Sequence, residues 1–150
     1  MTSAVADRSD PLLLSCRQVA RAMDLFDEAA SRRLGVGRSD LRAMNLLEDG
    51  PLPAAVLADR FGLTRSAVTA LVDRLQAAGF VERSPDQHDR RAVLVGLRAQ
   101  TWQAFADVYR PLGERVQAAT SGVVARDRDV VVAAMSAMST AFDDARERMV

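Results

Sequence analysis

A chain of 150 residues with 49% apolar and 27% charged side chains reads as one soluble globular domain, large enough to bury roughly two-thirds of its unfolded surface. Twenty basic residues cancel twenty acidic ones, so no global charge attracts nucleic acid; the local bias is slight, with seven arginines against five acids in 51–98 and six against seven in 99–150. A single cysteine excludes an internal disulfide, and no apolar run has signal-peptide or membrane-spanning character, so a cytoplasmic protein with no membrane partner is expected.

Residues 1–9 are polar. Asp10-Pro11 then makes a helix start, with proline at the first helical position. Leu12, Cys16, Val19, Met23, Phe26 and Ala30 recur at steps of four and three, a heptad stripe on a helix over 10–34 that Gly35 and Gly37 close. Arg38 or Ser39 opens a second helix, with Leu41, Met44 and Leu47 (and Leu46) inward, ending at Gly50-Pro51. Pro53 is expected at the first position of a third helix.

The third helix meets a fourth through a tight turn. Ala58 is small enough for two helices to cross closely, and Gly62 sits where the chain must leave the first of them with positive φ. Thr64 can cap the next helix, whose inward stripe is Val68, Leu71, Val72 and Leu75. Ser66, Thr69, Ala70 and Asp73 then face outward, with Arg65 at the start and Arg74 on the flank. A capped helix of residues 64–78 with small polar side chains and arginine outward suits the DNA major groove.

Gly79 ends that helix. Phe80-Val81-Glu82-Arg83 reads as a strand, and Ala92 to Leu97 as its return, with Val93, Val95 and Leu97 on one face. The polar stretch 84–91 between them is too long for a minimal turn and reads as the tip of a wing, its arginines placed for phosphate or a narrow minor groove.

These segments resemble the MarR family of bacterial transcription regulators. The resemblance rests on Leu57-Ala58-Asp59-Arg60-Phe61-Gly62-Leu63-Thr64-Arg65-Ser66-Ala67-Val68-Thr69, on Leu71-Val72-Asp73-Arg74-Leu75, on Gly79-Phe80-Val81-Glu82-Arg83, and on the wing signature Asp86-Gln87-His88-Asp89-Arg90-Arg91. It implies that Arg91 enters the minor groove, that Asp89 steadies the loop, and that a small-molecule effector binds near the reader. It also implies binding to a pseudo-palindromic operator in double-stranded DNA. The family pattern of Leu-Thr after the wing is replaced by Leu97-Arg98-Ala99-Gln100-Thr101, which removes an ordinary helix cap.

After the wing, Trp102, Phe105, Tyr109, Leu112, Val116 and Ala119 form a further stripe, and Pro111 removes the amide that would bond the Asp107 carbonyl. Gly122 separates a last helix striped by Val131, Met135, Met138, Phe142, Ala145 and Met149. The stripes exceed what one small reader can cover, which predicts a homodimer built from terminal helices 10–34 and 99–149 around a reader at 38–97.

The candidate DNA contacts are Arg38, Ser39, Thr64, Arg65, Ser66, Thr69, Arg74, Asp89, Arg90 and Arg91. Arg74 lies on a flank and suits phosphate; the alternative is an ion pair to Asp73 or Glu82. Every basic residue is arginine, so each such contact can be bidentate. One branch of the resembled family senses peroxide through a cysteine in the first helix, but Cys16 falls in the apolar stripe and Tyr109 is the chain's sole tyrosine. His88 has no second ligand at metal spacing, and the methionines fit ordinary core better than an adaptable pocket. No nucleophile–base pair, phosphate loop or paired carboxylates point to an enzyme, and no cofactor is implied.

The expected fold is mainly α with a small β-hairpin wing, a winged helix-turn-helix with long terminal dimerisation helices. The expected function is a homodimeric DNA-binding repressor released by an effector that the sequence does not identify. A protein-interaction module would favour an apolar outer face on 64–78, against Ser66, Thr69 and Asp73. A methyltransferase would need a glycine-rich cofactor motif after the wing, which the sequence lacks.

Overall fold

The computed structural model describes residues 10–87 and 92–149. They fall into two compact units, one up to Val108 and one from Tyr109 onward.

In the first unit, α1 (Pro11–Leu34) begins where the Asp10 carboxylate accepts the Leu12 amide at 2.8 Å. Only Ala30 and Ser31, at its C-terminal end, are buried; the stripe positions Leu12, Val19 and Met23 are exposed. Helix α2 (Arg38–Leu46) is capped by Gly37, whose amide donates to Asp40 Oδ2 at 3.4 Å. It buries Leu41, Ala43 and Met44, and Leu47 follows them into the core.

Strand β1 (Leu52–Pro53) leads directly into α3 (Ala54–Phe61). Pro53 is therefore not the first helical residue. Its ψ of 142° is extended, and it pairs in register with Leu94, so proline ends a strand rather than opening a helix. Gly62 then turns left-handed (φ 63°), a conformation that costs other residues roughly 1 kcal/mol or more, and α4 (Arg65–Ala77) begins after Thr64.

The sheet has the order β1-β3-β2, with β2 (Val81–Pro85) and β3 (Val93–Leu97) antiparallel from Val81↔Leu97 to Pro85↔Val93. Ser84 and Pro85 extend the strand beyond Arg83, where the sequence suggested the tip would start. Strand β2 is an edge, and proline without its N–H is tolerated there. Gly96 packs closely on Pro51: an added Cβ would lie 3.2 Å from Pro51 Cγ, so the proline would have to give by a few tenths of an ångström.

Helix α5 (Ala99–Ala119) starts without an ordinary cap. Its first turn is tied back to the end of α4's loop instead: Thr101 Oγ1 donates to the Phe80 carbonyl at 2.6 Å, and Gln100 Nε2 to that of Gly79 at 3.0 Å. The core of this unit comprises Leu41, Met44, Leu47, Leu57, Val68, Leu71, Val72, Leu75, Val81, Val95 and Phe105. It lies beneath α4 and the sheet base, which fixes the orientation of both.

The second unit holds the rest of α5, with Pro111 inside it, and α6 (Ala125–Glu147). No residue of α6 is buried, and its expected stripe is open: Phe142 is 57% exposed and Met135 53%. Among the described residues no helix is long and apolar enough to cross a membrane.

Candidate nucleic-acid interface

The helix-turn-helix is built from α3, its turn, and α4. The Leu63 amide reaches the Ala58 carbonyl at 3.1 Å, closing the turn, and Thr64 Oγ1 accepts the Ala67 amide at 3.3 Å, capping α4. Val68, Leu71, Val72 and Leu75 are buried, which turns Ser66, Thr69, Ala70 and Asp73 to solvent on the opposite face. The inward and outward sets match the helical periodicity of the sequence residue for residue.

Thr64, Arg65, Ser66 and Thr69 thus gather on the first two turns of one exposed surface. Thr69 Oγ1 donates to the Arg65 carbonyl at 2.9 Å, and the Thr64 and Ser66 hydroxyls lie 3.1 Å apart. The helix therefore offers a short polar surface with arginine at its start, compatible with base edges.

Two of the expected DNA contacts are engaged inside the chain. Arg74 pairs with neither Asp73 nor Glu82: its Nε and Nη2 bond the Asp40 carboxylate at 3.3 and 2.5 Å. That hydrogen bond raises the Arg74 pKa above its usual value, with Asp40's charge adding and burial opposing. Arg38 turns toward α1, where Nη1 donates to the Asp24 carbonyl at 2.8 Å and Nη2 pairs with the Asp24 carboxylate. Ser39 beside it is exposed.

The wing arms close at the Asp86 amide, which donates to the Ala92 carbonyl at 3.0 Å. Asp89, Arg90 and Arg91, with His88, lie outside the described residues. Nearer the helix, Arg83 of β2 reaches α4: Nη2 meets Asp73 Oδ1 at 2.6 Å and Nη1 meets Gln76 Oε1. Glu82 is 4.0 Å from Arg98.

Asp40 and Arg83 are the residues that sequence reasoning missed. Asp40 has a local signal, an acid three residues after a helix-opening glycine. Its second bond, to a residue on another helix, has none. Arg83 is ten positions from Asp73 across a turn and a strand, a distance no helical period links. Arg42 stacks over the Phe61 ring at 5.0 Å, joining α2 to α3. A polar cleft of about 300 Å³ beside α1 and α2 is bounded by Asp27, Arg38, Ser39, Leu41, Arg42 and Asn45. Among the described residues no group of three or more His, Cys, Asp or Glu could hold a metal ion.

The sequence profile described as "MarR family" matches residues 34–92, the segment holding this helix-turn-helix. An "Uncharacterized HTH-type transcriptional regulator YcgE" of Bacillus subtilis (strain 168) is 39% identical over 99 residues, which cover 65% of this chain and 64% of that protein, under two thirds of its length. The MepR Q18P mutant from a multidrug resistant S. aureus clinical isolate superposes with a TM-score of 0.72 at 14% identity, over 89% of this chain and 99% of that one. A MarR family protein from Bacillus stearothermophilus gives 0.67 at 20% identity, over 88% and 93%. At such identities the structural likeness is one of fold.

Proposed function

We propose that this chain is a regulator of the MarR family, a homodimeric transcription repressor that binds double-stranded DNA through α4 and its wing and is released by a small molecule. The observation that carries this reading is the division of α4. Four apolar residues lock it to the core, while Ser66, Thr69 and Ala70 stand free of the surface beside Arg65. Thr64, Arg65, Ser66 and Thr69 meet base edges; Arg90 and Arg91 at the wing tip meet phosphate or a narrow minor groove, with Asp89 steadying the tip. Arg38 and Arg74 act through Asp24 and Asp40, and Ser39 is left for a backbone contact.

Dimerisation follows from the open stripes of α1 and α6, which leave Leu12, Met23, Val131, Met135 and Phe142 about half exposed or more. A twofold dimer matches a pseudo-palindromic operator whose half-sites lie about one helical turn, roughly 34–36 Å, apart. The protein acts in the cytoplasm, where DNA is available and Cys16 stays reduced. Selection from random-sequence duplexes tests the reading. The expected product is two inverted half-sites bound at least about a thousandfold tighter than scrambled DNA. Recovery of no enriched sequence would overturn it.

A further inference from the structure

On a surface that meets a polyanion, an exposed carboxylate is a defect unless something cancels it. Asp73 is such a group. It lies on the same outward stripe as Ser66, Thr69 and Ala70, spaced by helical steps of three and four, and it is exposed. Arg83 rises from β2 to meet it at 2.6 Å, and the guanidinium's other terminal nitrogen bonds Gln76, one turn nearer the helix end. Both terminal nitrogens of Arg83 are thus held by α4, while its backbone belongs to the wing, where Arg83 opposes Val95 in the sheet.

We infer that Arg83 is a positioning residue for DNA binding, which neutralises Asp73 on the reading face and fixes the wing strand against α4 without itself contacting DNA. This rests on the reading of α4 as the DNA-binding helix. A surface ion pair of this kind contributes little to folding, with a median of roughly 0–1 kcal/mol, so stability does not explain it. Its effect lies in the field that the DNA meets. Removing the guanidinium leaves a bare carboxylate facing phosphates, and the same loss is felt on any sequence. Removing the carboxylate as well should cure the defect.

The test compares Arg83→Ala, Arg83→Lys and the double variant Arg83→Ala/Asp73→Asn on two probes, a duplex selected from random DNA by the unaltered protein and a scrambled duplex of equal composition. Arg83→Ala should weaken both by about tenfold at low salt, and the difference should shrink as salt screens it. Arg83→Lys, which keeps the charge, should stay within about threefold, and the double variant should return to within about twofold of the unaltered protein. Arg83→Met, which keeps the aliphatic stem, replaces alanine if that variant melts below the assay temperature. Arg83→Ala without effect overturns the inference. So does a double variant as weak as Arg83→Ala, which would place Arg83 on phosphate directly. Failure of the unaltered protein to bind any duplex would instead strike the DNA-binding reading itself.

Discussion

Asp40 and Arg74, 34 positions apart, are joined by two hydrogen bonds that tie the N-terminus of α2 to the flank of α4. The Asp40 side chain is only 12% exposed and also accepts the Gly37 amide, so one side chain both caps α2 and holds α4. Arg38, two residues before it, anchors the same turn to α1 through Asp24.

Asp40→Ala should therefore destabilise the fold by about 1–2 kcal/mol, combining a lost helix-start bond with a lost charged hydrogen bond. Arg74→Ala should cost less, because its side chain is half exposed, and the double variant should be no worse than Asp40→Ala. Urea unfolding of the three variants measures this. Strictly additive losses would mean that the two residues act separately.

The open stripe of α6 predicts association. Light scattering at micromolar concentration should give about twice the 16.3 kDa chain mass. Burying each large apolar side chain supplies roughly 1.5–3 kcal/mol, so Met135→Glu or Phe142→Glu should shift the protein toward the monomer. Unaltered protein that stays monomeric while binding palindromic DNA tightly would rule the dimer out.

Asp27, beside the polar cleft, has its pKa raised above the usual 3.8 by burial; Asp24 adds to the rise and Arg38 opposes it. Burial in the folded chain disfavours the charged carboxyl, a cost that the unfolded chain does not bear. As pH falls through the raised value the folded chain takes up the proton first, so stability from this group is gained toward acid and lost as pH rises. Asp27→Asn should raise the melting temperature at neutral pH, and the gain should shrink as pH approaches 3.8. A lower melting temperature at neutral pH would mean that attraction to Arg38 outweighs burial.

Cys16 is a half-buried free thiol of α1. If it serves packing, Cys16→Ala should cost on the order of 1 kcal/mol, and peroxide should leave DNA binding unchanged in both proteins. Peroxide release that disappears in the variant would identify it as a sensor.

How much of this was legible in the sequence depends on the range of the forces. The α4 stripe could be read because Val68, Leu71, Val72 and Leu75 recur at the helical period, and the Thr64 cap because it bonds three residues ahead. Strand β1 could not. Two residues carry no alternation, and Pro53 satisfies the rule for a helix start as well as that for a strand end. The length of the wing arm was misjudged at Pro85 because nothing local marks β2 as an edge. The partners of Arg38 and Arg74 were hidden because ion pairs between helices follow the packing. The stripes of α1 and α6 were visible, and the structure leaves most of them exposed.

The most direct measurement of the central claim is a titration of Ser66→Ala and Thr69→Ala against the selected and the scrambled duplex. A lost base contact removes roughly 1–3 kcal/mol of discrimination, so affinity for the selected duplex should fall by about tenfold or more while that for scrambled DNA holds. If both variants bind both duplexes as the unaltered protein does, residues 64–78 do not read DNA.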